Sequence, residues 1–177
     1  MSKISAQVER IERISNRMWA VTIGVMLLIP VAFVATLLLD GIDHLLPVPR
    51  GIAIELSGQG VGGLAAVACL AALKPAAFLL AMWLLKGLFG LYRQGMIFDG
   101  RSIDKLRQLG WSLIGIDLMD VVQRFAVGPL LSHLGASEPF LTIGIGLSLS
   151  IIGLFVIVIA KVMALGRELQ EFEESTI

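Results

Sequence analysis

Trp111-Ser112-Leu113-Ile114-Gly115-Ile116-Asp117-Leu118-Met119-Asp120-Val121-Val122-Gln123-Arg124-Phe125-Ala126-Val127-Gly128-Pro129-Leu130-Leu131 is the stretch on which the architecture turns. A helix rises about 1.5 Å per residue, so a hydrocarbon layer needs roughly 20 mostly apolar residues. This run is long enough, but Asp117, Asp120 and Arg124 interrupt it. Read as a span, it gives the chain four crossings and puts both termini on one side. Its remaining residues are those of a span, and we read it as one.

Three further runs flank it. Met18 to Leu39 carries no charge, and Gly62 to Tyr92 holds Lys74 beside Pro75 and then Lys86. Phe140 to Met163 is charged only near its end, at Lys161. The whole chain agrees: 56% of its 177 residues are hydrophobic, 16% are charged, and mean hydropathy is +0.87. Soluble domains are about a quarter charged, so this composition points to a bilayer. The 14 basic and 14 acidic residues cancel, which leaves no global field to attract nucleic acid.

The distribution of charge sets the orientation. Lys3, Arg10, Arg13 and Arg17 precede the first run, Lys86, Arg93, Arg101, Lys105 and Arg107 surround the second connection, and Lys161 and Arg167 flank the last run. The opposite side has only Arg50. Basic residues concentrate on the cytoplasmic side, so both termini and the middle connection are expected there. The expected fold is all-α: an integral membrane bundle of four transmembrane helices over 18–39, 62–92, 111–131 and 140–163. A cytoplasmic amphipathic segment, 1–17, precedes the membrane domain of 18–163, and an acidic cytoplasmic tail, 164–177, follows it. The first run is too long for a signal-peptide core and lacks an Ala-x-Ala site, so it reads as an uncleaved helix. The ends carry no myristoylation glycine and no prenylation box.

The extramembrane pieces have their own patterns. Ile4, Val8, Ile11, Ile14 and Met18 recur at helical spacing, with charges between them. That segment either lies on the inner leaflet or extends the first helix into the cytoplasm. The first external connection, 40–61, is stiffened by Pro47-Val48-Pro49; Ile52, Ile54 and Leu56 then alternate as in a short strand or an interfacial segment, and the glycine-rich Gly58 to Gly63 follows. No strand–turn–helix unit surrounds those glycines, so they make no nucleotide loop. In the middle connection, Gly95 has the place of a helix C-cap, Met96-Ile97-Phe98 follow in extended form, and Asp99 can cap the next helix. Arg101 to Leu109 then runs into Trp111, with Arg101, Lys105 and Arg107 facing water or headgroups.

The stretch Leu91-Tyr92-Arg93-Gln94-Gly95-Met96-Ile97-Phe98-Asp99-Gly100-Arg101-Ser102-Ile103-Asp104-Lys105-Leu106-Arg107 resembles the central signature of a bacterial membrane family, domain of unknown function 2975. Its members have four predicted spans, a similar helix–Gly–x–x–Phe–turn–amphipathic-helix connection and a charged end such as Ala164 to Glu171 here. The chain departs from the pattern at Asp99, where Thr or Ser is frequent, and at Gly100. The resemblance implies a multi-pass protein of the bacterial inner membrane. Some relatives sit beside small helix-turn-helix regulators, so it also implies a cytoplasmic protein partner of that kind. It supplies no catalytic residues.

Ionisable groups at membrane depth are costly, and are usually paired or functional. Asp117, Asp120 and Arg124 fall at i, i+3 and i+7, on one face of the third helix, and Asp120 and Arg124 can pair along it. Counting depth from the outer end places Lys74 between Asp120 and Arg124. Either these four form a neutral cluster that fixes helix register, or the two carboxylates form a proton or cation path tuned by the cations. In the fourth run, Gly144 and Ser148, and Gly146 and Ser150, have the small-xxx-small spacing of close helix packing, within the bundle or between copies.

No cofactor is expected. Cys69 is the only cysteine and reads as a packing residue, and the two histidines, His44 and His133, lie in different connections, too few for a metal site. There is no nucleophile with a matched base, so enzyme chemistry finds no support. The expected function is a non-enzymatic interaction or regulatory protein; the alternative is a small transporter or channel subunit built on the intramembrane charges.

Overall fold

The computed structural model describes residues 3–39, 41, 45–49, 60–96, 99–142, 144 and 146–175, the side chains of 3–12, 170 and 173–175 excepted. His44, Arg50, the strand expected over 52–56, most of the glycine-rich loop and Phe98 lie outside the described residues.

The described residues form four helices: α1 Lys3–Leu39, α2 Val61–Arg93, α3 Gly100–His133 and α4 Ser148–Ser175. Three of them are long and apolar enough to cross a membrane: α1 over Arg13–Leu39, α2 over Val61–Arg93 and α4 over Ser148–Leu169. α3 differs by its three central charges, although it is as long as its neighbours. Pro30, Pro75 and Pro129 lie inside α1, α2 and α3.

α1 is one continuous helix of 37 residues, about 55 Å at 1.5 Å per residue. The N-terminal segment therefore extends the first apolar helix and makes no separate element. At the other end of the chain, α4 runs unbroken to Ser175, so most of the expected tail is helix.

The beginning of α4 corrects the sequence reading. The helix was expected from Phe140, but it starts at Ser148, and the described residues between 134 and 147 are non-helical. Two causes act together. Gly144 and Gly146 each cost about 1 kcal/mol relative to alanine inside a helix. The segment is also pressed onto α3: a Cβ on Gly128 would collide with the backbone carbonyl of Phe140.

The helices stand in an open row rather than a closed bundle. Among the described residues, backbones approach within 8 Å only between α1 and α2, α2 and α3, and α3 and α4. The flanks of the row are apolar and exposed, through Leu27, Leu28 and Val31 on α1 and Ile151, Phe155 and Val162 on α4. Two apolar cores hold the middle. One, near the α2–α3 turn, gathers Ala81, Leu84, Leu88, Leu109 and Ile116. The other, at the opposite end, gathers Leu46, Val67, Ala71, Val127, Leu131 and Ala136. Lys74, Asp117, Asp120 and Arg124 fall between them.

Both ends of the α2–α3 hairpin are closed by the same device. Gly95 has φ +75°, its N–H donates to the Tyr92 carbonyl, and the Met96 N–H donates to Leu91. Gly135 has φ +69°, with Gly135 and Ala136 donating to Ser132 and Leu131. These are the paired bonds of a Schellman cap, and they need a residue that tolerates positive φ.

Candidate functional site

The central layer is built on Asp120. One carboxylate oxygen accepts from Lys74 Nζ of α2 at 2.7 Å, and the other from Arg124 Nε, one turn along α3, at 2.8 Å. The Asp120 side chain is 12% exposed, against 43% for Lys74 and 30% for Arg124. The buried anion therefore holds two cations that reach outward. Its position follows from helix geometry. The i, i+4 spacing stacks Arg124 on Asp120. The antiparallel register that sets Ala71 by Val127 and Ala81 by Ile116 brings Lys74 opposite.

Asp117 is not part of that group. It points at α4, where its Oδ2 accepts the backbone N–H of Ser150 at 2.7 Å. Ser150 is the third residue of α4, and the first four amides of a helix have no partner inside it. Asp117 therefore caps α4 from a neighbouring helix, with its negative charge on the positive end of the macrodipole. It lies halfway along α3, so α4 begins beside the middle of its neighbour.

The non-helical approach to α4 covers the rest of α3. The Arg124 guanidinium lies against Gly144, where a Cβ would sit 3.1 Å from Nη1. Thr142 Oγ1 donates to the Pro47 carbonyl, joining this segment to the α1–α2 connection at 3.2 Å. Below the start of α4, the two helices touch backbone to backbone. A Cβ on Gly110 would stand 2.7 Å from the Gly153 carbonyl oxygen, and one on Gly153 would stand 2.5 Å from that of Gly110.

The small residues singled out in the fourth run therefore have other duties. Gly144 makes room for Arg124, nothing lies near Gly146, and Ser150 contributes its amide. The close contact belongs to Gly153. An even spacing of small residues was visible, but the point where the helix begins was not.

At the turn end, Asp99 has the N-cap position of α3, yet its carboxylate makes no capping bond. It faces Arg167 of α4 at 3.9 Å, and Arg167 also pairs with Glu171 at 2.7 Å. A Cβ on Gly100 would collide with the Arg167 guanidinium, so the glycine leaves the place that the arginine fills. The fully buried Ser102 hydroxyl donates to the Met96 carbonyl and closes the turn. The three basic residues separate here. Arg107 pairs with Asp104 at 2.9 Å, Lys105 lies 5.0 Å over the Trp83 ring, and Arg101 is exposed. Arg93 lies 4.8 Å over Trp19, which ties this end of α2 to α1.

The turn anchored by Gly95, the charged connection behind it and the helix order are those of the resemblance. The family model described as "Protein of unknown function (DUF2975)" matches residues 7–177. The chain belongs to the DUF2975 family. No curated protein and no solved structure matches it. Among its described residues, no three His, Cys, Asp or Glu side chains gather to hold a metal ion. His133 is exposed in the last turn of α3, and Cys69 is exposed on α2.

Proposed function

We propose that this DUF2975 protein crosses the bacterial inner membrane four times, α3 included, and that it is a non-enzymatic interaction protein engaging a cytoplasmic partner. α3 can enter the membrane because its charges are spent inside the molecule: Asp120 on two cations, and Asp117 on a helix terminus. A charge in hydrocarbon is tolerable when it is paired and faces protein.

One observation carries the functional reading. α1 and α4 both continue as helices beyond their apolar parts, and they do so at the end where the α2–α3 turn lies. Trp19 against Arg93, and Arg167 against Asp99, hold these three pieces at one level. A soluble protein would meet two helix ends and a basic turn at once, with Arg101 free of any ion pair among the described residues. The test is a copurification comparison. Arg101→Glu is expected to lose a specific partner that the parent chain retains, at equal membrane content; retention of the same partner by Arg101→Glu and Arg107→Glu together would sink the reading.

A second reading rests on the late start of α4. A helix that begins beside the middle of its neighbour, after non-helical backbone, is a feature of transport sites. Asp117→Asn and Asp120→Asn would then abolish ion or proton flux in proteoliposomes, and unchanged flux would remove this reading.

A further inference from the structure

Between α1 and α2 lies a cleft of about 600 Å³. Its walls are apolar, with Val25, Ile29 and Phe33 on one side and Ala71, Phe78 and Met82 on the other. Three polar residues line it: Lys74, Gln123 and Thr36, whose hydroxyl donates to the Ala32 carbonyl of its own helix. We propose that this cleft binds a single-chain amphiphile with a carboxylate head, such as a long-chain fatty acid, with the head on Lys74 and Gln123 and the chain along α1 and α2.

Charge favours an anion. Lys74 and Arg124 share one carboxylate, that of Asp120, so the group bordering the cleft carries one uncompensated positive charge. Asp117, one turn along α3, directs its carboxylate to the Ser150 amide of α4 and makes no ion pair with either cation among the described residues. The Lys74 ammonium has three donors, of which Asp120 takes one, and its side chain is 43% exposed.

Gln123 adds an independent observation. The residue is 2% exposed, yet its amide has no hydrogen-bond partner among the described residues. An amide left so in a nearly dry place is destabilising unless something fills the place. Among the described residues, no side-chain nitrogen or oxygen that is wholly shut off from solvent lacks a partner, so the Gln123 amide borders open space, which is the cleft it lines. A carboxylate has lone pairs for both an ammonium and an amide N–H.

Depth and size select a single chain over a phospholipid. Lys74 is 13 residues from Val61 and 12 from Lys86, about 18 Å or more from either end of the uncharged run. A phospholipid would have to draw its whole headgroup to that depth, whereas a carboxylate brings one small charge to a waiting partner. The volume lies within the range of about 300–1,000 Å³ usual for small-molecule sites.

The experiment uses the full chain in nanodiscs of uncharged phospholipid, with a diazirine-bearing palmitic acid as the probe. The expected result is adducts concentrated on peptides of 25–36 and 71–82. Unlabelled palmitate should reduce them at least tenfold, and hexadecanol should not. Lys74→Met is expected to reduce labelling about tenfold while the protein stays folded, because Asp120 keeps Arg124. Gln123→Leu should reduce it less, and Lys86→Met, away from the cleft, not at all. Adducts spread over every lipid-facing helix, equal competition by hexadecanol, or full labelling of a folded Lys74→Met would each overturn the proposal. Failure here leaves the cytoplasmic-partner reading standing, since that reading is measured at Arg101.

Discussion

The two outer seams of the row are built differently. α3 and α4 meet backbone to backbone at Gly110 and Gly153, share a cap through Asp117, and close at the turn end through Arg167 on Gly100. α1 and α2 meet around an open cleft, and the one polar contact described between them is Arg93 over Trp19. One seam has no space for an added methyl group; the other leaves about 600 Å³ unfilled. The backbone contact leaves α3 and α4 no room to admit a ligand at Gly110 and Gly153, whereas α1 and α2 leave room for something to enter.

Substitutions can break that contrast, and the largest effect belongs to the tie between α2 and α3. Asp120→Ala leaves Lys74 and Arg124 facing each other without a counterion. Removing one partner of a buried charge group costs about 3–5 kcal/mol. The variant is expected to show a large fall in thermal midpoint in detergent, and a stability near that of the parent would contradict the role given to Asp120.

Next comes the tight seam. Gly110→Ala drives a Cβ toward the Gly153 carbonyl, and overpacking of this kind costs about 1–3 kcal/mol. The same thermal melt measures it, and Gly115→Ala, which meets nothing within 4 Å, is the control. A smaller loss is expected at the cap. Asp117→Ala removes the acceptor for Ser150 and should cost about 1 kcal/mol, while Asp117→Asn keeps most of it, because asparagine caps as well as aspartate. If both variants melted alike, the charge and not the hydrogen bond would be what matters. The smallest effect belongs to the open seam. Ile29→Ala trims a wall of the cleft and is expected to stay within about 0.5 kcal/mol, as at a surface position.

The legible parts of this protein were those fixed by local rules. Gly95 at a helix end is a short-range signal, and the spacing of Asp120 and Arg124 is a property of one helix. Lys74 could be set opposite them by counting depth, because α2 and α3 are joined by a short turn. Asp117 could not be placed in the same way. Its partner is a backbone amide, which carries no side-chain signature, and the choice of Ser150 depends on where α4 starts. That start is set by Gly128 admitting the Phe140 backbone, a contact between residues in different elements. Gly100 shows the same limit. It looks like a flaw in a cap until Arg167 occupies its face. The continuation of α1 through the amphipathic segment was one of two open alternatives, and periodicity alone cannot tell a helix on a membrane from one that leaves it.

If α3 crosses the membrane despite its charges, as proposed, the two ends of the α2–α3 hairpin lie on opposite sides. Glu138, exposed just beyond α3, reports on this directly. In a Cys69→Ala background, Glu138→Cys is to be treated with a membrane-impermeant maleimide in spheroplasts, with Arg101→Cys in parallel. The cysteine at 138 is expected to be labelled from outside and the one at 101 only after the membrane is opened. Labelling of both from the same side would mean that α3 does not cross.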